Sequence, residues 1–129
     1  MSEMFVRSRP EGVLTYPGAE TVWPFWGGER SNFPDSGTTS AFAGAVLASP
    51  DSPDQIYAWY RQWLTARGWT STPFLRASGQ PSIQGYARGP RERFSVAMDD
   101  PQSITRTLGR SVPANRTIFE YRYMIAPVA

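Results

Sequence analysis

The stretch SPDQIYAWYRQWLTARGW, Ser52 to Trp69, governs how the rest of the chain is read. Ser52 stands where a helix N-cap belongs, and Pro53 suits the first helical position because it has no N–H to leave unpaired. Asp54 places a negative charge at the positive end of the helix dipole, and Gln55, three residues after Ser52, completes a capping box. At about 100° per residue, Ile56, Tyr57, Trp59, Tyr60, Trp63 and Leu64 fall on one broad arc, with Asp54, Ala58, Arg61, Gln62 and Thr65 opposite. The pattern predicts an amphipathic helix from Pro53 to about Arg67. Gly68 supplies the C′ stop, and Trp69 just beyond it is placed to fold back on the last turn.

Strands flank this helix. TTSAFAGAVLAS, 38–49, reads as a strand whose small residues Ala41, Ala43, Gly44 and Ala45 would let a helix approach one face closely. After the helix come GWTSTPFLR (68–76), SIQGYAR (82–88) and ERFSVAM (92–98), joined by the turns ASGQP and RGPR. In the third of these Phe94, Val96 and Met98 share one face, and Arg93 and Ser95 the other. DDPQSITRTLGRSVPAN, 99–115, reads as a polar excursion, and RTIFEYRYMIA, 116–126, as the last strand, with Phe119, Tyr121, Tyr123 and Ile125 on its core face. The order strand, helix, strand, strand, strand predicts an α+β two-layer sandwich: an antiparallel sheet of four to five strands with one main helix packed on one face. Ahead of it, MFVRSR (4–9) is an edge strand or loose, YPGA (16–19) a turn, and 20–37 irregular, ending in the turn cluster SNFPDSG. Residues 1–37 are therefore expected to form a largely irregular segment packed on or flanking a single α+β domain spanning 1–129.

Composition sets limits. The 129 residues suit one domain, and 40% apolar with 14% aromatic content is enough to build its core. Twelve prolines and eleven glycines imply many turns. The longest apolar run is too short to cross a membrane as a helix. The N-terminus has no apolar core of a signal peptide, so the expectation is a cytoplasmic chain, or an extracytoplasmic one whose targeting segment has been removed. With no cysteine there are no disulfides, thiolate zinc sites or thiol nucleophiles; with no histidine the commonest general base and metal ligand are missing. All thirteen basic residues are Arg, which rules out Schiff bases, Ser–Lys dyads and a P-loop lysine. A GC-rich genome, which favours Arg codons, is sufficient reason for the missing lysine. A net charge of +2 is too weak a footprint to argue for nucleic acid.

The YPGA turn (Tyr16, Pro17, Gly18, Ala19) followed by a helix carrying Trp59, Tyr60 and Leu64 and closed by Gly68 and Trp69 resembles a loose group of small uncharacterised bacterial α+β domains. Many of these look like secreted or membrane-anchored proteins. The resemblance covers about half the chain and implies the order of elements, with no enzymatic activity and no functional residues. This chain departs from it in having no lipid-attachment cysteine.

Four constellations carry candidate chemistry. Trp23, Phe25 and Trp26, with Pro24 between them and Gly27–Gly28 after, are either a lid on the protein's own core or a platform for a partner, with Arg30 as a polar contact. In the hairpin YARGPRERF, Arg88, Arg91 and Arg93 surround a tight turn with Tyr86 nearby; they are a solvated turn balanced by Glu92, or a site for phosphate or carboxylate. Asp51, Asp54, Asp99 and Asp100 are explained by capping and turn chemistry and lack the spaced ligands of a calcium site, so no metal is expected. Glu92, Asp99, Asp100 and Glu120 are the only carboxylates placed to converge for acid–base work. The reading that follows is a non-catalytic protein- or peptide-binding or accessory domain using the aromatic segment, with a protein partner or self-association and no cofactor. The alternative is a small-ligand-binding protein or enzyme with a carboxylate–arginine pocket between helix and loop.

Overall fold

A computed structural model describes residues 8–27, 30–31, 38–39, 41–72, 82–109, 111–113 and 115–126. The expected N-terminal edge strand, the turn cluster after Ser31 and the ASGQP turn lie wholly or mainly outside these residues. The strands are β1 (Glu20–Gly27), β2 (Arg30–Ser31), β3 (Thr38–Thr39), β4 (Ala41–Ser49), β5 (Thr70–Ser71), β6 (Ile83–Arg88), β7 (Glu92–Met98) and β8 (Thr117–Ile125); the helices are α1 (Pro53–Thr65) and α2 (Pro101–Leu108). A short 3-10 turn, Pro10–Val13, precedes them. Six strands form one antiparallel sheet in the order β1-β4-β8-β7-β6-β5, and β2 pairs with β3 separately. The class is α+β as expected, but the sheet is larger than four to five strands and there are two α-helices among the described residues.

Helix α1 forms as its sequence dictates. Gln55 N–H donates to Ser52 Oγ at 3.2 Å and Ser52 N–H to Gln55 Oε1 at 2.9 Å, the reciprocal capping box. At the other end Gly68 takes φ +87°, which a side chain would resist, and Trp69 N–H bonds back to the Leu64 carbonyl at 3.1 Å while Gly68 N–H bonds to Thr65. This is a Schellman closure, and it turns the Trp69 ring into the core. Ile56, Tyr60 and Leu64 are fully buried, Tyr57, Trp59 and Trp63 partly so, and the opposite face is exposed.

The inner face of the sheet is apolar and aromatic. Ala41, Ala43, Ala45 and Leu47 of β4, Phe119, Tyr121, Tyr123 and Ile125 of β8, Phe94 and Val96 of β7 and Tyr86 of β6 all point into it. Tyr60 is the hub. Its ring lies within 6.4 Å of those of Tyr16, Trp59, Phe94, Phe119 and Tyr121. Its hydroxyl, with no exposed surface, donates to the Leu14 carbonyl at 2.9 Å. That bond ties the N-terminal segment across the core. The small residues of β4 receive this segment rather than helix α1: the 3-10 turn lies on β4 and β8, and Tyr121 OH reaches the Gly12 carbonyl at 3.4 Å. Helix α1 sits further across the same face, against β5 and β7.

Two regions depart from the sequence expectation. The stretch 20–27, expected to be irregular, is the edge strand β1, paired with β4 from Glu20↔Ala48 to Gly27↔Phe42. Alternation was hard to see because Pro24 interrupts it and a bulge falls between Thr21 and Trp23. Both features are tolerated on an edge, where no second ladder is needed. The excursion 99–115 contains α2, with Asp100 as N-cap, Pro101 at the first position and Gly109 at φ +70° as its stop, the same punctuation as α1. Ile104 of α2 and Val112 pack with Val22 and Phe25 on a second, smaller cluster of Val46, Ala48 and Ile118 on the outer face of the sheet.

Tyr60→Phe keeps the ring and deletes the bond to Leu14. It should cost roughly 1–3 kcal/mol, because the buried carbonyl is left without a donor. Urea unfolding measures this, and a loss well under that range would show that the Leu14 anchor is dispensable.

Candidate functional site

The aromatic segment is built by β1. Residues three apart on a strand point to opposite faces. Trp23 therefore lies on the outer face with its partner Val46, and Trp26 on the inner face with Ala43. They remain 43% and 42% exposed, respectively, and are among the most exposed large apolar side chains described. Phe25 behaves differently. Its ring lies on Gly44, its cross-strand partner, and Phe42 lies in the same way on Gly27. A Cβ at Gly44 would stand 2.0 Å from the Tyr121 carbonyl oxygen and 2.8 Å from the Phe25 ring, so only glycine fits. The Arg122 guanidinium sits over Phe25 at 5.0 Å and over Phe42 at 5.5 Å. Phe25 is thus part of the sheet's own packing, while the two indoles project from the rim. Arg30 stands in β2, its backbone paired with Thr39. Beside Trp26, a cleft of about 200 Å³ opens between β1 and the 3-10 turn, lined by Val13, Pro24, Ala43, Ala45 and Tyr121 among others.

The arginine hairpin is not a simple solvated turn. Tyr86 is buried, 1% exposed, opposite Phe94, and presents no face for stacking a base. Arg88 Nε and Nη2 bond Glu92 at 3.1 and 2.8 Å, and Nη2 also reaches Glu11 at 2.9 Å. The same guanidinium lies 4.6 Å above the Trp69 ring, whose N–H donates to Glu11 at 3.4 Å. Glu92 Oε2 accepts from Arg9, Arg88 and Tyr123. Burial alone pushes Glu92 up, but the hydrogen bonds from Arg88 and Tyr123 and the charges of Arg88 and Arg9 outweigh it and hold the carboxyl below its usual range. Arg91 Nε donates to the Ala126 carbonyl at 2.7 Å, and Arg93 caps backbone carbonyls of the turn. Arg9, Arg88, Arg91, Glu92 and Tyr123 line a cleft of about 300 Å³ at this end of the sheet. Glu11, the partner that sequence reading did not single out, is only 3% exposed. Its place in a polar N-terminal stretch gave no sign that it would meet Arg88 across the core.

The remaining acidic residues do not gather with Glu92, and of the four expected to converge only Asp99 and Glu120 are neighbours. Glu92 begins β7 and Asp99 follows its end, about 20 Å away at strand rise. Asp51 accepts from Tyr16 OH at 2.5 Å, which with burial pushes that phenol up to about 12. Asp100 caps α2. Asp99 stands next to Glu120, and its Oδ2 is buried with no hydrogen-bond partner among the described residues. Burial, reinforced by the charge of Glu120, pushes Asp99 up to about 7. Among the described residues no three acidic side chains gather to hold a cation, and no helix is long and apolar enough to cross a membrane.

Fold and site together define an α+β domain on a six-stranded antiparallel sheet, with an aromatic sheet rim and a part-buried carboxylate–arginine cluster. Comparison with models of known protein families, with curated proteins and with solved structures found no match to the chain.

Two outcomes follow from this geometry. In the folded state Asp99 holds a proton that the unfolded chain, with its ordinary carboxyl, releases near pH 4. Its contribution is therefore full at low pH and lost as the pH rises through about 7. The chain has no histidine to mask this. The urea midpoint of the wild type should fall between about pH 4 and pH 7 and level off above, and Asp99→Asn should flatten that fall; an unchanged slope would mean that Asp99 ionises normally. Gly44→Ala should destabilise by roughly 1–3 kcal/mol through overpacking against the β8 backbone, read by thermal unfolding.

Proposed function

We propose that the protein is a non-catalytic binding domain that docks a protein or peptide, a second copy of itself included, on the rim formed by β1. One observation carries this reading: Trp23 and Trp26, on opposite faces of the edge strand, keep more than two fifths of their surfaces in water. Removing roughly 100 Å² of each indole from water would contribute about 2 kcal/mol apiece, the size expected of interface anchors. Pro24 lacks a donor and the bulge breaks the ladder, so a seventh strand would find few regular partners. The partner is held by the two indoles gripping the rim, with the cleft beside Val13 taking one side chain. Phe25 supports the grip from beneath, through Gly44 and Arg122, rather than by contact.

The alternative of a ligand pocket built from carboxylates and arginines has the cleft at Tyr123 in its favour. Proton transfer there is disfavoured by the saturation of Glu92, whose oxygens already accept from two guanidiniums and a phenol.

Peptides selected from a displayed library against the wild type test the proposal, alongside sedimentation over a range of protein concentrations. Trp23→Ala and Trp26→Ala should each weaken the selected peptide, or the dimer, at least ten-fold at temperatures where thermal unfolding shows the variant still folded. Binders or dimers indifferent to both substitutions would move the interface off β1.

A further inference from the structure

Beside Trp26 the rim opens into the cleft of about 200 Å³ between β1 and the 3-10 turn. Its floor is Tyr121 together with Ala43 and Ala45 of β4, each alanine 2% exposed. Trp26 and Pro24, the cross-strand partners of those two alanines, form one wall. Val13, 60% exposed, forms the other. The space exists because both floor residues of β4 end at Cβ; a longer side chain at either position would fill it from below.

The slot is held open by bonds of its own. The Tyr121 ring is stacked with Phe94 at 6.0 Å and with Tyr60 at 6.3 Å, and its hydroxyl reaches the Gly12 carbonyl at 3.4 Å. Val13 is carried on a turn closed by Gly12 N–H to the Arg9 carbonyl at 3.0 Å and by Thr15 N–H to the Val13 carbonyl at 2.9 Å. Pro24 has its φ fixed by its ring. A cleft preformed in this way loses little freedom when it is filled.

Volume and lining select what fills it. A cavity of about 150 Å³ is enough to enclose a benzene ring. The cleft therefore takes one six-membered ring together with the methylene that links it to a backbone. Such a ring meets Trp26 and Tyr121, and aromatic pairs in edge-to-face or offset contact gain beyond the area they bury. A branched aliphatic side chain leaves part of the space empty and forgoes those contacts. Thr15 and Thr21, both exposed, bring hydroxyls to the mouth that can donate to or accept from the backbone carrying the ring. Val13 and Trp26 project on either side of that mouth, so the flat face of a folded domain does not reach the floor, whereas an extended segment does.

We infer that the partner is an extended segment of another protein that places a phenylalanine or tyrosine side chain in this cleft, its backbone lying across Thr15 and Thr21. The inference rests on β1 being the docking rim and names the residue that the partner brings to it.

Titration with N-acetyl-phenylalaninamide and N-acetyl-leucinamide, followed through the Ala43 and Ala45 methyl resonances and the indole N–H resonances, tests the cleft directly. The phenylalanine amide should give saturable shifts at Ala43, Ala45 and Trp26 at millimolar concentration, with the leucine amide about three-fold weaker or worse. The Trp23 indole, on the outer face, should not move. Ala45→Leu should raise the Kd about ten-fold by filling the floor, at some risk of overpacking. Val13→Ser, at an exposed wall, carries no such risk and should raise it about three-fold. Ile83→Ser removes an exposed apolar side chain from β6 and should change it less than about two-fold. Equal affinity for the two amides, or binding indifferent to Val13→Ser, would overturn the inference. So would selected peptides that depend on Trp23 and Trp26 yet are not displaced by the phenylalanine amide; the rim would then stand as the docking surface without a ring in the cleft. Selected peptides indifferent to both tryptophans would remove the rim itself. A dimer dispersed by the amide would place the ring on a second copy of this chain and overturn its assignment to another protein.

Discussion

Everything in this structure is arranged around the ring and hydroxyl of Tyr60. A buried tyrosine must find an acceptor for its O–H, and the only economical one inside an apolar layer is a backbone carbonyl that would itself be unpaired. The bond to Leu14 satisfies both groups at once. It brings the N-terminal segment under the sheet, where the alanines of β4 leave room for it, and so completes a core that α1 alone does not cover. Five aromatic rings then close around the Tyr60 ring. Burial pushes the Tyr60 phenol far up, so it stays neutral under any working condition.

The same requirement, that buried polar groups be paired, shapes the end of the sheet. Glu11 is buried and Glu92 half-buried, and they are matched by Arg88, Trp69, Tyr123 and Arg9. Leaving any one partner out would strand a charge, which is more costly than never having buried the pair. The cluster therefore joins three distant parts of the chain: the 3-10 turn, the β6–β7 hairpin and the centre of the sheet. The rim at β1 follows the opposite rule. Its two indoles stay about two fifths exposed, while Phe25 and Phe42 are drawn down onto glycines beneath Arg122. One strand thus carries both a ring packed into the sheet and two that stay partly exposed.

What could be read from residues alone was local. Helix α1, with its cap, buried arc and Schellman stop, is specified within eighteen residues. The faces of β7 and β8 follow from strict alternation, and the absence of His, Cys and Lys narrows the chemistry before any coordinates are known. Helix α2 was not read from the sequence: Asp100-Pro101 and Gly109 repeat the punctuation of α1, but its polar middle shows no apolar arc.

The tertiary structure decided what depends on residues far apart in sequence. Strand β1 exists because β4 offers it a ladder, for the pattern TVWPFWG has no clean period of its own. Phe25 is less exposed than Trp23 and Trp26 because its ring is seated on Gly44 beneath Arg122, both remote in the chain. Glu11 becomes a buried partner of Arg88, and Arg91 an anchored cation, only when the 3-10 turn and the end of β8 are laid against the hairpin. Short-range steric and capping preferences are encoded where they act; pairing, burial and charge balance are properties of the assembled layers, and no single segment carries them.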